Sequence, residues 1–111
     1  MPEYHFQFTT LAVQDMEQSL SYIRDVLDNP IAASNLTDEI QRSIQKLCRF
    51  PFAYPDCTAF LIQDRNIRHI NIRHYILIYE IDSAHQTLHI LRFLYSGRDI
   101  STLSVRDNDP T

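Results

Sequence analysis

The alternation of apolar and polar residues predicts a strand followed by a helix at the start of the chain. Residues 4–9 alternate aromatic and polar side chains, which is typical of a strand with its three aromatic residues, Tyr4, Phe6 and Phe8, on one face. Thr9 or Thr10 can then cap a helix. Apolar residues recur along that helix at steps of three and four and form one stripe: Val13, Met16, Leu20, Ile23 and Leu27.

A second helix is predicted after a short break. Asn29 suits the N-cap, and Pro30 suits the first helical position because its missing N–H would be unpaired there anyway. The apolar residues of this helix also share one face: Ala33, Leu36, Ile40, Ile44 and Leu47. Because a tight link joins two helices with matching stripes, we expect an antiparallel helical hairpin that ends at the proline-containing loop of residues 50–56.

The pattern after this loop predicts three strands. Residues 67–72 alternate, whereas residues 75–81 are apolar on both faces, as in a central strand. Polar residues 82–85 supply a hairpin turn, and residues 87–95 form another apolar strand that His89 and Arg92 interrupt. Residues 104–111 are polar and lack periodicity, so we expect a frayed tail.

The predicted order is therefore β-α-α-β-β-β, in one domain over residues 1–111. The fold class is α+β, with the helical hairpin packed on one face of a small, mostly antiparallel sheet. The other face of the sheet is expected to be open to a partner. A chain of 111 residues that is 44% apolar can bury a sufficient core without disulfides or metals.

Composition and charge exclude several classes of protein. Gly97 is the only glycine, which excludes glycine-rich phosphate loops. Cys48 and Cys57 are too few for a zinc knuckle and the histidines lack metalloprotease spacing, so we expect neither metal nor cofactor. The sequence contains neither a membrane-length apolar segment nor a signal peptide, which predicts a cytoplasmic protein. A net charge of −4 disfavours binding to many phosphates.

Three stretches, in their order and spacing, resemble the RelE/ParE superfamily of toxins from type II toxin–antitoxin systems. Residues 47–51, Leu-Cys-Arg-Phe-Pro, are similar to the family's apolar helix end that runs into Phe-Pro. Residues 67–82 look like its arginine strand, short turn and tyrosine strand ending in an acid. Residues 88–99 are similar to its apolar strand with Leu-Arg, followed by a small residue and Arg-Asp.

This resemblance implies a small toxin that a cognate antitoxin neutralises by wrapping a C-terminal segment around it. ParE-like members of the superfamily poison DNA gyrase. RelE-like members enter the ribosome and cut mRNA, with basic residues and without a metal. A degenerate member that binds its antitoxin and little else is a third possibility.

Several residues distinguish the two active branches. RelE-like nucleases often place an arginine after the tyrosine that begins the central strand, but here Ile76 follows Tyr75. RelE proper has a tyrosine near its C-terminus where this chain has Leu103-Ser104. ParE-like toxins end their last strand with a pair like Arg98-Asp99. The resemblance therefore favours a ParE-like gyrase inhibitor, and the alternative is a RelE-like, ribosome-dependent mRNA endoribonuclease that needs no metal.

The candidate functional residues are mostly cations. If the chain cuts RNA, the catalytic candidates are Arg73, His74 and Arg98, because histidine transfers protons near neutral pH and arginine holds phosphate. The candidates for binding a target or a phosphate in either branch are Arg65, Arg68, His69, Arg92 and Asp99.

Each of these residues also has an ordinary structural interpretation, and for Arg92 it is an ion pair within the sheet. Arg92 lies in an apolar strand, where an unpaired charge would cost several kcal/mol. It therefore needs a carboxylate, backbone carbonyls or solvent, and Glu80, Asp82 or Asp99 could pair with it.

Overall fold

A computed structural model describes residues 3–53 and 66–96 of the chain. The strands are β1 (His5–Phe8), β2 (Ile67–Ile72), β3 (Tyr75–Asp82) and β4 (Thr87–Tyr95), and the helices are α1 (Thr10–Ser21) and α2 (Pro30–Arg49). A π-helical turn, Tyr22–Val26, continues α1. The β-α-α-β-β-β order and the α+β class are confirmed. Neither described helix is long and apolar enough to cross a membrane.

The four strands form one sheet in the order β1-β4-β3-β2. β3 is antiparallel to both β2 and β4, whereas β1 runs parallel to β4, so the sheet is mostly antiparallel. The β3–β4 register shifts between Ile78, which is opposite Arg92, and Tyr79, which is opposite Ile90. Leu91 is therefore an extra residue in β4, and such a bulge changes where the neighbouring side chains point.

Both helix starts follow the capping chemistry that the sequence predicts. The Thr9 hydroxyl accepts a hydrogen bond from the Ala12 N–H at 3.0 Å and donates one to the Leu91 carbonyl at 2.9 Å. Asn29 Oδ1 accepts from the Ala32 N–H at 3.1 Å. These caps satisfy N–H groups that have no partner within the helix, and Thr9 also ties the start of α1 to β4.

The core lies between the helices and one face of the sheet. The predicted α2 stripe is confirmed, since Leu36, Ile40, Ile44 and Leu47 are all buried. They pack against apolar residues of the sheet: Ile70, Ile72, Leu77, Tyr79, Ile81, Leu88, Ile90 and Phe93.

The α1 stripe was predicted correctly only in its middle. Met16, Leu20 and Ile23 pack against the core, but Val13 and Leu27 are 39% and 55% exposed. Ala12, with no exposed surface, takes the buried position at the start of α1. The π-helical turn inserts an additional residue and rotates the residues after it about the helix axis, which moves Leu27 off the stripe.

The second face of the sheet is buried at its centre, and the prediction of an open face is wrong there. Ile78 and Leu94 are 0% and 2% exposed, although their neighbours Leu77 and Phe93 point to the helices. Because successive side chains of a strand point to opposite faces, Ile78 and Leu94 lie on the far side. The apolar pattern on both faces of β3 agrees with a strand that is covered on both sides.

Candidate functional site

The turn between β2 and β3 consists of the two candidate residues Arg73 and His74. Ile72 pairs with Tyr75, so only these two residues connect the strands. Arg73 has φ 55°, in the left-handed region that glycine or asparagine usually occupies in such tight connections. The turn is fixed to the end of β4, since the Ser96 N–H donates to the His74 carbonyl at 2.8 Å.

The Arg73 side chain lies against α2 and remains accessible. Its Nε is 3.0 Å from Oε1 of Glu39, and the two side chains are 44% and 32% exposed, respectively. His74 is exposed. The turn therefore presents two basic groups next to the helical hairpin.

A cavity of about 670 Å³ opens beside this turn, between the connection of the two helices and the end of the sheet. We call it the hairpin-end cavity. The helices form the aliphatic wall of the cavity, and tyrosines from the helix and the sheet form its aromatic wall. Arg73 and His74 form the remaining side. The principal lining residues are Tyr22, Ile23, Leu27, Ala32, Leu36, Arg73, His74, Tyr75 and Tyr95. The others are uncharged: Gln18, Ser19 and Asn29.

Ring contacts hold the aromatic wall in place. Tyr75 stacks on the buried Phe93, with 4.7 Å between ring centroids and 13° between the planes. Tyr95 meets Tyr75 edge-on at 5.9 Å. Because Phe93 is part of the core, the position of the cavity wall is set by core packing.

Arg68 lies far from this cavity. Five residues of extended chain, a length of about 17 Å, separate Arg68 from Arg73. Its Nε donates to Asn66 Oδ1 at 3.0 Å, and its guanidinium carbon is 5.2 Å from the centre of the Phe52 ring. The structure thus associates Arg68 with the loop after α2 and not with the β2–β3 turn.

His69 lies on a different face of the sheet from the cavity. The adjacent Ile70 points to the helices, so His69 points away from them, next to Ile78 of β3. Its Nδ1 is buried and has no hydrogen-bond partner within the described part of the chain. Arg68 and His69 are therefore separated in space from Arg73 and His74, although the four candidates lie close together in the sequence.

Arg92 pairs with Asp15 of α1, and not with Asp82, which contacts two histidines instead. Arg92 Nε is 2.7 Å from Asp15 Oδ2, and Nη2 is 3.1 Å from Oδ1, in a two-pronged arrangement. Asp15 Oδ2 also accepts the Phe93 N–H at 3.1 Å. Both charged side chains are only 11% exposed.

This pairing arises because β1 ends partway along β4 and α1 lies beside the rest of that strand. β1 pairs with β4 only as far as Phe8, and α1 begins at Thr10. The first turns of α1 then lie along the edge of β4, where Asp15 replaces a strand neighbour. A sequence signal existed, because Asp15 lies three residues after Ala12, on the same side of α1, where a carboxylate needs a partner.

Three predicted candidates, Arg65, Arg98 and Asp99, lie outside the described residues. Within residues 3–53 and 66–96, no three His, Cys, Asp or Glu side chains form a group that could hold a metal ion. The candidates that the structure brings together are Arg73 and His74, and the sequence analysis missed the tyrosines and the helix residues that surround them.

Asp82, at the opposite end of β3 from the cavity, forms a separate polar cluster with two histidines. Its Oδ2 is 2.9 Å from His85 Nδ1 and 3.4 Å from His89 Nε2, and its Oδ1 accepts the His85 N–H at 3.2 Å. The hydrogen bond with the His85 side chain is the largest cause that lowers the pKa of Asp82. These contacts close the β3–β4 turn.

We expect Asp82→Asn to destabilise the chain in a pH-dependent way. A carboxyl group whose pKa is lowered on folding stabilises the native state above its unfolded pKa of about 4, and this contribution is lost as the pH falls through the folded pKa. The difference in free energy of unfolding between the two proteins should shrink as the pH falls from 5 to 2 in urea titrations. The exposed Asp38→Asn is the control, and a constant difference for Asp82→Asn would contradict this account.

Comparison with known proteins identifies solved structures that share this fold. No curated protein matches the chain. The toxin–antitoxin complex RelBE2 from Mycobacterium tuberculosis is similar in structure, with a TM-score of 0.58 at 21% identity, over 84% of this chain and 98% of that one. The chromosomal ParDE toxin–antitoxin system from P. aeruginosa gives a TM-score of 0.64 at 14% identity, over 84% and 96%. At these identities the likeness shows the fold.

The family assignment rests on the sequence itself. The family model of the ParE toxin of the type II toxin–antitoxin system, parDE, matches residues 6–100. This range includes every described strand except the first residue of β1, both helices and the hairpin-end cavity. The resemblance that the three sequence stretches indicated is confirmed: the chain belongs to the ParE toxin family of type II toxin–antitoxin systems.

Proposed function

We propose that the chain inhibits DNA gyrase by binding to it, without chemistry of its own, and that a cognate antitoxin neutralises it. The match to the ParE toxin family over residues 6–100 supports a target of the ParE type. The two similar structures are toxin–antitoxin complexes, which supports an antitoxin as the second partner. The proposed contact surface is the end of the sheet that carries Arg73, His74 and the aromatic wall of the cavity.

The observation that carries this proposal is the separation of the described cations. Cleavage of RNA by its own 2′-OH needs a proton acceptor, a proton donor and a cation around one phosphate. Arg92 is held by Asp15, and Arg68 lies at the far end of β2. Of the candidate cations in residues 3–53 and 66–96, only Arg73 and His74 line the same cavity, which suits a binding surface better than a complete ribonuclease centre.

We also propose that Arg98 and Asp99 contact the target, as the resemblance to ParE-like toxins implies. Ser96 is hydrogen-bonded to His74, so β4 leaves the sheet beside the β2–β3 turn. The Arg98-Asp99 pair follows Ser96 closely in the sequence. We therefore include the Arg98-Asp99 pair with Arg73 and His74 as the groups that contact the target.

Purified chain added to gyrase with relaxed plasmid should inhibit supercoiling in proportion to its concentration. The same preparation added to translating ribosomes should leave mRNA intact, because the proposal includes no catalysis. Arg42→Asn, on the exposed side of α2, should inhibit gyrase as strongly as the wild type.

The other outcomes separate the alternatives. Cleaved mRNA together with unaffected gyrase would replace the proposal with the RelE-like ribonuclease. Folded protein that affects neither, and whose expression without an antitoxin leaves bacterial growth unchanged, would indicate a degenerate family member.

A further inference from the structure

The hairpin-end cavity combines an apolar interior with an uneven distribution of charge. Its lining contains one arginine and one histidine, and no aspartate or glutamate among the described residues. Tyr22, Leu27 and Tyr95 line it and are each more than half exposed. Val26 and Ile31, in the same helix connection, are 67% and 73% exposed. An apolar area of this kind with a cationic rim is typical of a binding surface.

We propose that this cavity binds a segment of a partner protein in which an apolar side chain stands next to a carboxylate. The apolar side chain enters between the aliphatic and aromatic walls, and the carboxylate meets Arg73. This inference rests on the proposed function and deepens it, since it names the chemistry that the protein partner brings to the same surface.

Charge complementarity favours a carboxylate in a protein over the phosphates of a nucleic acid. A nucleic acid strand carries one phosphate per nucleotide, and tight binding needs several cations along its path. The cavity offers one arginine and one histidine, in a chain whose net charge is −4. One carboxylate matches one guanidinium, and the aliphatic wall of Ile23 and Leu36 suits an aliphatic or aromatic side chain.

Glu39 is a positioning residue for this contact. It holds Arg73 through the 3.0 Å salt bridge from α2, and it is not itself part of the cavity lining. A long side chain held at one point loses less conformational freedom when it binds a ligand. The Glu39–Arg73 pair thus keeps the guanidinium at the rim of the cavity.

Two small probes test the proposal on the full chain by amide NMR titration: 3-phenylpropionate and 3-phenylpropan-1-ol. They share a ring and a three-carbon chain and differ in the carboxylate. Both should shift the amide signals of Ala32, Tyr75 and Tyr95. The carboxylate should bind about tenfold more tightly than the alcohol, as expected for one charged hydrogen-bonding contact.

The matched variants keep the backbone of the turn. Arg73→Asn retains a residue that tolerates φ 55°, and Arg73→Asn/Glu39→Gln also removes the charge that would otherwise repel the probe. In both variants the preference for the carboxylate should disappear while binding of the alcohol persists. Glu39→Gln alone should reduce the preference, because loss of the salt bridge that positions Arg73 outweighs removal of a carboxylate outside the cavity lining. Glu39→Asp should restore part of it. Arg42→Asn should behave as the wild type.

Three results would each overturn the proposal. The wild type could bind both probes with equal affinity, the amide shifts could be confined to other surfaces, or neither probe could bind at millimolar concentration. Tighter binding of uridine 3′-monophosphate than of 3-phenylpropionate would indicate a nucleic-acid site instead. Gyrase inhibition is measured separately on the same samples. If the chain inhibits gyrase but shows no preference for the carboxylate probe, this inference is overturned and the proposed function stands. If it shows the preference but does not inhibit gyrase, the inference is supported and the protein target is a different one.

Discussion

Asp15→Ala should lower the free energy of unfolding by about 3–5 kcal/mol, because it removes the carboxylate of a buried ion pair. Arg92 would retain a guanidinium that is largely enclosed, at the bulge in β4. The Phe93 N–H would also lose the Asp15 carboxylate as its acceptor. Urea denaturation followed by far-ultraviolet circular dichroism measures this loss.

Asp25→Ala is the matched control, since it makes the same chemical change in another aspartate–arginine pair. Asp25 pairs with Arg24 at 3.0 Å, but the side chains are 63% and 52% exposed. Such exposed pairs contribute much less to stability than buried ones, because solvent screens them. Asp15→Asn, which keeps an acceptor oxygen, should fall between the two alanine variants. Equal losses for Asp15→Ala and Asp25→Ala would show that the buried pair does not hold α1 on β4.

The Asp15–Arg92 pair also shows why some of the fold could be predicted and some could not. The caps at Thr9 and Asn29 are local signals, since each acts on an N–H three residues away. Asp15 and Arg92 are 77 residues apart. Their contact depends on α1 continuing along β4 where β1 stops, which no local pattern specifies.

For the candidate site, as for the fold, the local features could be predicted from the sequence and the long-range contacts could not. The alternation of β2 separates Arg68 from His69, and the short turn places Arg73 beside His74. The cavity could not be predicted, because three distant segments form it and the π-helical turn determines which residues of the helix connection face it. Leu27 belonged to the predicted core stripe, yet it is an exposed wall of the cavity.

Arg73→Asn should weaken gyrase inhibition by about 10- to 100-fold, because one charged hydrogen-bonding contact to the target is lost. The fold should persist. The Glu39–Arg73 pair is partly exposed, so its loss costs at most about 1 kcal/mol, and asparagine tolerates the left-handed backbone at this position. The measurements are the concentration of chain that halves supercoiling and the midpoint of urea unfolding.

The choice of control decides what this result means. Arg42→Asn removes the same charge from an exposed position of α2 outside the cavity lining, so a general effect of net charge would weaken both variants equally. His74→Ala should have a smaller effect than Arg73→Asn if the surface only binds, because the proposed charged contact to the target is made by the Arg73 guanidinium. A larger effect of His74→Ala, joined to loss of mRNA, would instead mean that the turn transfers protons. Full potency of folded Arg73→Asn would remove the β2–β3 turn from the target surface, and the contact would then have to be sought elsewhere on the chain.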